Sequence, residues 1–155
     1  MKLERKDWIR ALTAHPAPDL HALAERLAAG CELRLTRLPQ AGLGLLQLAD
    51  GAFHEAYYLG EFPLSTCSLE LTLADGRRAK GGAQVMADDA ALARSLAILD
   101  AVLAARLPGW EDVSAQVQSG ARLRAEADRR RRAMLAATRV DFALLGNTGE
   151  DDDEE

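Results

Sequence analysis

Three histidines, His15, His21 and His54, are the only side chains here whose ordinary pKa lies near neutrality. A nucleophilic centre would need one of them beside a Ser or Cys and a carboxylate. His15 stands at a helix end just before Pro16, and His21 falls in the first turn of a helix, so both read as surface residues. His54 reads as a strand residue pointing opposite to Phe53, with Glu55 beside it and Glu61 further along. A general base at His54 working with Glu55 or Glu61 is therefore the one catalytic option, set against a plain exposed strand histidine. Cys31 and Cys67 have neither metal nor redox spacing and read as reduced core residues. No His or Cys pair stands at ligand spacing, and the acidic run Glu150 to Glu155 lacks the glycine turn of a calcium loop. Gly42-Leu43-Gly44 and Gly81-Gly82 lack the strand and helix context of a phosphate-binding loop. The first pair suits a turn into a strand. The second suits a bulge or a point where another backbone comes close, which favours a partner contact. The expectation is a chain with no catalytic, metal or cofactor site of its own.

Arginines supply the other concentration of chemistry. Arg122, Arg124, Arg129, Arg130, Arg131, Arg132 and Arg139 share their stretch with only Glu126, Asp128 and Asp141, and the acidic tail follows. The net charge of −5 argues against a general nucleic-acid binder, although a module built on Arg122 to Arg139 remains a third reading. On a helix turning about 100° per residue, Leu123, Ala127 and Met134 form one stripe, and Arg130 falls on it. Either the helix is solvated with Arg130 snorkelling, or it meets another subunit through arginine forks. Beyond it, the apolar segment Ala137 to Leu145 needs a place to dock, in its own core or in a partner's groove. Arg139 and Asp141 would share a face if that segment is extended. Gly60 reads as a turn and Glu61 as a hydrogen-bond acceptor at a strand end. Gly60, Glu61, Arg130, Arg139, Asp141 and Phe142 are the interface candidates.

These residues need elements to hold them. Hydrophobic residues make up 48% of the chain, enough for a packed core. Trp8 and Leu12 mark a short first helix ended by His15-Pro16. Pro18 opens a second helix carrying Leu20, Leu23 and Leu27, which Gly30 stops. The period then changes to two. Strands are expected around Leu33 to Leu35, Gly44 to Leu48, Ala52 to Leu59, Cys67 to Leu73 and Lys80 to Met86, with turns at Asp50-Gly51 and Asp75-Gly76. Ser65, Ser68, Glu70 and Thr72 are assigned to the sheet's polar outer face. Asp88 or Asp89 caps a helix carrying Leu92, Leu96, Leu99 and Leu103, which Pro108-Gly109 ends, and a last helix runs from about Ala121 to Ala137. The predicted fold is α+β: a single antiparallel sheet of about five strands, with helices from both ends of the chain packed on one face. One domain is expected over 1–148 with a disordered acidic tail over 149–155. The charged N-terminus and the lack of any apolar run near the ~20 residues of a membrane helix predict a cytoplasmic protein with no membrane partner.

Five short motifs, in order, resemble one family. Arg5-x-x-Trp8 with Leu12, Leu59-Gly60-Glu61, Ser65-Thr66-Cys67, Ile98-Leu99-Asp100-Ala101 and Thr138-Arg139-Val140-Asp141-Phe142 are together similar to the PhnG subunit of the carbon–phosphorus lyase system, over Arg5 to Phe142. Ala87-Asp88-Asp89 stands where that family commonly has Gly-Arg-Asp, Thr66 stands where it has arginine, and its Gly-Thr-Gly is missing around Asp50 to His54, so the resemblance is to a divergent member. The resemblance implies an accessory subunit in a complex with H-, I- and J-type subunits, in two copies. It also implies a reaction in which the I-type subunit, helped by others, displaces adenine from MgATP with an organophosphonate to give α-D-ribose 1-phosphonate 5-triphosphate. On that resemblance the chemistry lies in other chains, MgATP is a substrate of the complex, and no catalytic residue carries over to this chain.

Overall fold

The computed structural model of the chain describes residues 3–138. Its elements run α1 (Arg5–Leu12), α2 (Ala17–Ala28), β1 (Glu32–Ala49), β2 (Ala56–Thr72), β3 (Arg78–Val85), α3 (Ala90–Ala104) and α4 (Trp110–Ala137). The three strands form one antiparallel sheet in the order β1-β2-β3. The first two helices fall where the spacing puts them. Leu20, Leu23 and Ala24 are the buried stripe of α2, and Gly30 adopts a left-handed φ of 82° just past its end. Asp89 is the cap of α3, its carboxylate accepting from the Leu92 amide at 2.8 Å. Ten of the fifteen residues of α3 are buried, so it is the central rod of the core and not an amphipathic surface helix. It packs on all three strands and is flanked by α1, α2 and α4.

The sheet corrects the expectation of about five strands: it has three, two of them very long. β1 joins the two segments expected around Leu33 to Leu35 and Gly44 to Leu48, and β2 joins those expected over Ala52 to Leu59 and Cys67 to Leu73. The pairing of β1 with β2 is irregular between Leu35 and Arg37, between Arg37 and Gln40, and between Leu46 and Gln47. Each irregularity shifts the alternation of side chains, so one continuous strand reads as two. Pro39 lies in the second of them, on the edge strand β1, where a missing N–H is tolerated. Pro63 lies on β2 just beyond Ser65, where the pairing with β3 stops. Gly60 is not a turn. It sits within β2 at the third irregularity, where Leu59 is the extra residue between Gly60 and Tyr58. His54 is not on a strand; it lies in the connecting loop with φ 56°.

Two further corrections concern burial. Ser65 does not face water: it is fully buried on the same side as Cys67, Leu69 and Leu71. Its hydroxyl donates to the Ala87 carbonyl at 2.7 Å and accepts from the Asp89 amide at 3.0 Å, fixing the β3–α3 connection. Glu70 is only 8% exposed and lies in a cross-strand row between Arg34 and Lys80. The last helix starts at Trp110, well before the expected Ala121. Val113, Val117 and Gly120, at i, i+4 and i+7, form its buried face.

Gly81 is where helix and sheet come closest. A Cβ there would lie 2.0 Å from the Ala97 carbonyl oxygen and 2.7 Å from the Ala101 amide nitrogen. The close backbone expected at Gly81-Gly82 is therefore the chain's own α3, not a partner's, and β3 pairs with β2 without a bulge there. Gly81→Ala should lower stability by about 3 kcal/mol, because rigid backbone must move. Gly42→Ala, with nothing within 4 Å of its added methyl, should change stability by less than about 0.5 kcal/mol. Urea unfolding followed by circular dichroism measures both, and equal midpoints for the two variants would contradict this packing.

Candidate interaction surface

Residues of the sequence motifs converge first on a structural joint. Arg5 at the start of α1 donates from Nε to Asp100 Oδ1 at 3.0 Å and from Nη2 to Asp100 Oδ2 at 2.6 Å. Its Nη2 also reaches the Lys80 carbonyl at 3.1 Å, and the Gly82 amide donates to Asp100 Oδ2 at 3.0 Å. Asp100 is 4% exposed, so its carboxylate depends on these donors. Hydrogen bonding to Asp100, aided by that carboxylate's charge and opposed by burial, raises the Arg5 pKa above its ordinary value. His15 and His21, expected at the surface, are half-buried in similar duty. His15 Nε2 lies 2.9 Å from the Gln116 carbonyl and 3.2 Å from Ser119 Oγ, and His21 Nδ1 lies 2.9 Å from Ser95 Oγ. Burial raises the Cys67 pKa, in keeping with a core thiol.

With the core satisfied internally, the unusual surface lies outside it. Beyond the end of β3, the strands β1 and β2 continue as a two-stranded ribbon. From Gln40 to Ala49 it extends roughly 30 Å at the usual strand rise. Both of its faces are apolar. Leu43, Leu45 and Tyr58 lie on one face at 61–69% exposure, with Leu59 as the extra bulge residue at 62%, while Leu46, Leu48 and Tyr57 lie on the other at 38–44%. Phe62 lies over Gly44 on that second face, within 3 Å of where a Cβ would stand. An isolated two-stranded ribbon is marginal in water, and one with no polar face has nothing to turn toward solvent. Between Leu38 and Leu64 the only charged residues are Asp50, Glu55 and Glu61; there is no Lys or Arg.

The second unpartnered surface is the distal half of α4. Its near half packs on α1, where Gly120 lets the Ala11 carbonyl approach and Arg124 donates to the Thr13 carbonyl at 2.8 Å. About a quarter turn away, Leu123 and Met134 are 51% and 71% exposed on the stripe that also holds Arg130. Arg130 is solvated, donating to Glu126 Oε1 at 3.0 Å, and Arg129 pairs with the same carboxylate. The Arg129 hydrogen bond is the main reason the Glu126 pKa falls below the usual carboxylate range.

A family model described as "Phosphonate metabolism protein PhnG" matches residues 3–146. The chain is also 32% identical over 144 residues to "Alpha-D-ribose 1-methylphosphonate 5-triphosphate synthase subunit PhnG" of Rhizobium meliloti (strain 1021), an alignment covering 92% of this chain and 88% of that protein. The chain belongs to the PhnG family. Family membership gives the convergence on Asp100 a plain meaning: Arg5 and Asp100, which carry two of the motifs, hold the subunit together.

The expected site residues do not form one cluster. Gly60 and Glu61 lie on the ribbon, with Glu61 opposite Leu45, and Arg130 lies on α4. Arg139, Asp141 and Phe142 lie outside the described residues, as do most of the apolar segment Ala137 to Leu145 and the acidic tail. His54 and Glu61 are not brought together: four ladder steps, roughly 13 Å of strand, separate Glu61 from the pair that closes the loop. Among the described residues no group of three or more His, Cys, Asp and Glu side chains is placed to hold a metal ion, and no helix is long and apolar enough to cross a membrane. The ribbon's apolar residues are the surface that sequence reasoning missed. The signal was present in Leu43, Leu45, Leu46 and Leu48, apolar on both strand faces.

Asp50 closes the ribbon's loop. Its Oδ1 accepts from the Phe53, Ala52 and His54 amides at 2.6, 2.7 and 3.2 Å, and these bonds, led by Phe53, pull its pKa below the ordinary value. A depressed folded pKa means that the loop is ordered above the ordinary carboxylate value and loosens as pH falls through the folded one. Amide NMR of Ala52 and Phe53 should therefore titrate below about pH 3.9, and Asp50→Ala should remove the transition. A midpoint at or above the ordinary value would contradict the capped loop.

Proposed function

We propose that the chain is an accessory, non-catalytic subunit of an assembly that acts on organophosphonates. In this reading it works beside an I-type subunit, with H- and J-type subunits and a second copy of itself, in the cytoplasm. The assembly's reaction is displacement of adenine from MgATP by a phosphonate, giving a ribose 1-phosphonate 5-triphosphate. MgATP is a substrate of the assembly, and this chain holds no cofactor alone. The PhnG family match supports the assembly, and the relative's name, a synthase subunit, supports the reaction.

The single structural observation that carries the subunit role is the ribbon with two apolar faces. Large side chains from Leu43 to Leu59 stay exposed on it although the core they might have joined is closed. Surface of this kind marks a protein–protein contact. The separation of His54 from Glu61 counts against that pair as a stand-alone base and leaves Glu55, its neighbour in sequence, as the alternative carboxylate.

Co-expression of the tagged full chain with its I-type neighbour tests the role. The two should co-purify in fixed ratio through gel filtration, and ribosyl-triphosphate synthesis by the assembled subunits should be unchanged in His54→Ala. Adenine release from MgATP by this chain alone, abolished by His54→Ala, would overturn the proposal, as would recovery of the chain free of its co-expressed neighbours.

A further inference from the structure

We propose that a cleft bordered by α1, the end of α3 and the first turns of α4 binds a small aromatic anion. The ligand is a planar ring carrying a carboxylate or a phosphate, its ring against tryptophan and its charge on Arg106. This site goes beyond the subunit reading above and does not rest on it. The cleft encloses about 330 Å³, at the small end for a ligand cavity and enough for one ring system with a substituent. Both of the chain's tryptophans line it, Trp8 from α1 and Trp110 from α4. Leu103 and Val117 add apolar wall, and Arg106 is the only charged residue in the lining. An apolar cavity with one positive charge selects an apolar ligand of negative charge. The Arg106 guanidinium lies over the Trp110 ring, 5.1 Å from its centroid. Indole and guanidinium planes both favour a flat ring laid against them, and the guanidinium fork favours a carboxylate or phosphate.

The backbone at Arg106 adds a second, independent observation. Just past the end of α3, Arg106 takes a left-handed φ of 49°, as Gly30 does past α2 at 82°. Its amide donates to the Leu103 carbonyl at 3.4 Å, and the Leu107 amide donates to the Val102 carbonyl at 3.0 Å. That pattern closes a helix through one left-handed residue, a position that favours glycine because a side chain there crowds its own backbone. Arginine is the costlier choice for the fold, and it is the choice that places a guanidinium in the cleft. Strain of this kind gathers at ligand clamps. The neighbouring groups are held in place before any ligand arrives. Trp8 Nε1 donates to the Leu3 carbonyl at 3.3 Å, and Ser114 Oγ accepts from Gln118 Nε2 at 3.3 Å while keeping its own O–H to donate.

The chain has two tryptophans and both line the cleft, so the intrinsic fluorescence of the full chain reads occupancy directly. Benzoate and adenosine monophosphate, the carboxylate and phosphate probes, should each quench it, with at least one saturating below about 5 mM. The tighter of the two identifies the source, an aromatic acid or a nucleotide. Benzyl alcohol, a ring without charge, and inorganic phosphate, a charge without a ring, should each bind at least about tenfold more weakly. By NMR, the indole N–H signals of Trp8 and Trp110 should shift with the same midpoint. Arg106→Gly removes the guanidinium and relieves the left-handed backbone, so it should weaken the anions about tenfold without lowering the urea midpoint. Arg106→Gln, which keeps a side chain without the charge, should weaken them equally. No saturable quenching by either anion, equal affinity for the uncharged ring, or unchanged affinity in both Arg106 variants sinks the site. None of these results bears on the accessory role, which co-purification decides separately.

Discussion

The buried carboxylate of Asp100 is the constraint on which the architecture turns. At 4% exposure it has little recourse to water, and its oxygens accept from Arg5 twice and from the Gly82 amide once. Three elements must therefore meet at one point: the start of α1, the middle of α3 and the centre of β3. Gly81 permits that meeting, because any side chain there would enter the backbone of α3. Removing one partner of such a group leaves a desolvated charge or an orphaned donor, which costs far more than the net strength of any one bond. The joint is therefore all-or-none in character, and it fixes the angle at which α1 leaves the sheet.

From α1 the constraint passes outward. Ala11 and His15 on or near α1 receive Gly120, Gln116 and Ser119 of α4, so α4 is aimed by the same joint. On its distal half Leu123 and Met134 stay exposed among the described residues. The ribbon is aimed similarly. β1 and β2 are held where they pair beside β3 under α3, and beyond Ser65 they continue unsupported. Two projecting elements thus leave one rigid centre. The centre contains the motif residues Arg5, Ser65, Cys67 and Asp100, while most of the exposed apolar area lies on the projections.

That division also explains what the sequence disclosed. Helices were legible where local chemistry marks their ends: Pro18 and Gly30 for α2, and Asp89 for α3. The number of strands was not, because the irregularities at Thr36, Pro39 and Leu59 imitate strand breaks by resetting the two-residue period. The start of α4 at Trp110 was not read from the sequence, although Val113, Val117 and Gly120 form its buried face and Gly120 is a site of close helix packing. Ser65 was assigned to the wrong face although its odd number matches Cys67 and Leu69; its polarity outweighed its position. The arginines of α4 posed a surface question, and Arg130 lies exposed there, paired with Glu126 of the same helix. The ribbon was the largest omission. A run such as Leu45-Leu46 looks like buried strand whenever something is assumed to cover it, and among the described residues both leucines stay exposed.

The placement of apolar residues on the ribbon sets a trade between folding and assembly. A lone chain keeps these side chains in water, where they contribute nothing to its stability and invite strand pairing at the ribbon's open edges. The bulge at Leu59 and Gly60, Pro39 on the edge, Pro63 beyond the third strand and the acids at Asp50, Glu55 and Glu61 all oppose indiscriminate pairing of that kind. Such devices would be superfluous on a surface meant for water and harmful on one meant for a core. They suit a contact that must exclude wrong partners while remaining available to the right one. In the subunit reading proposed above, the free energy withheld from the fold is available for association, and covering the ribbon would add to the chain's stability.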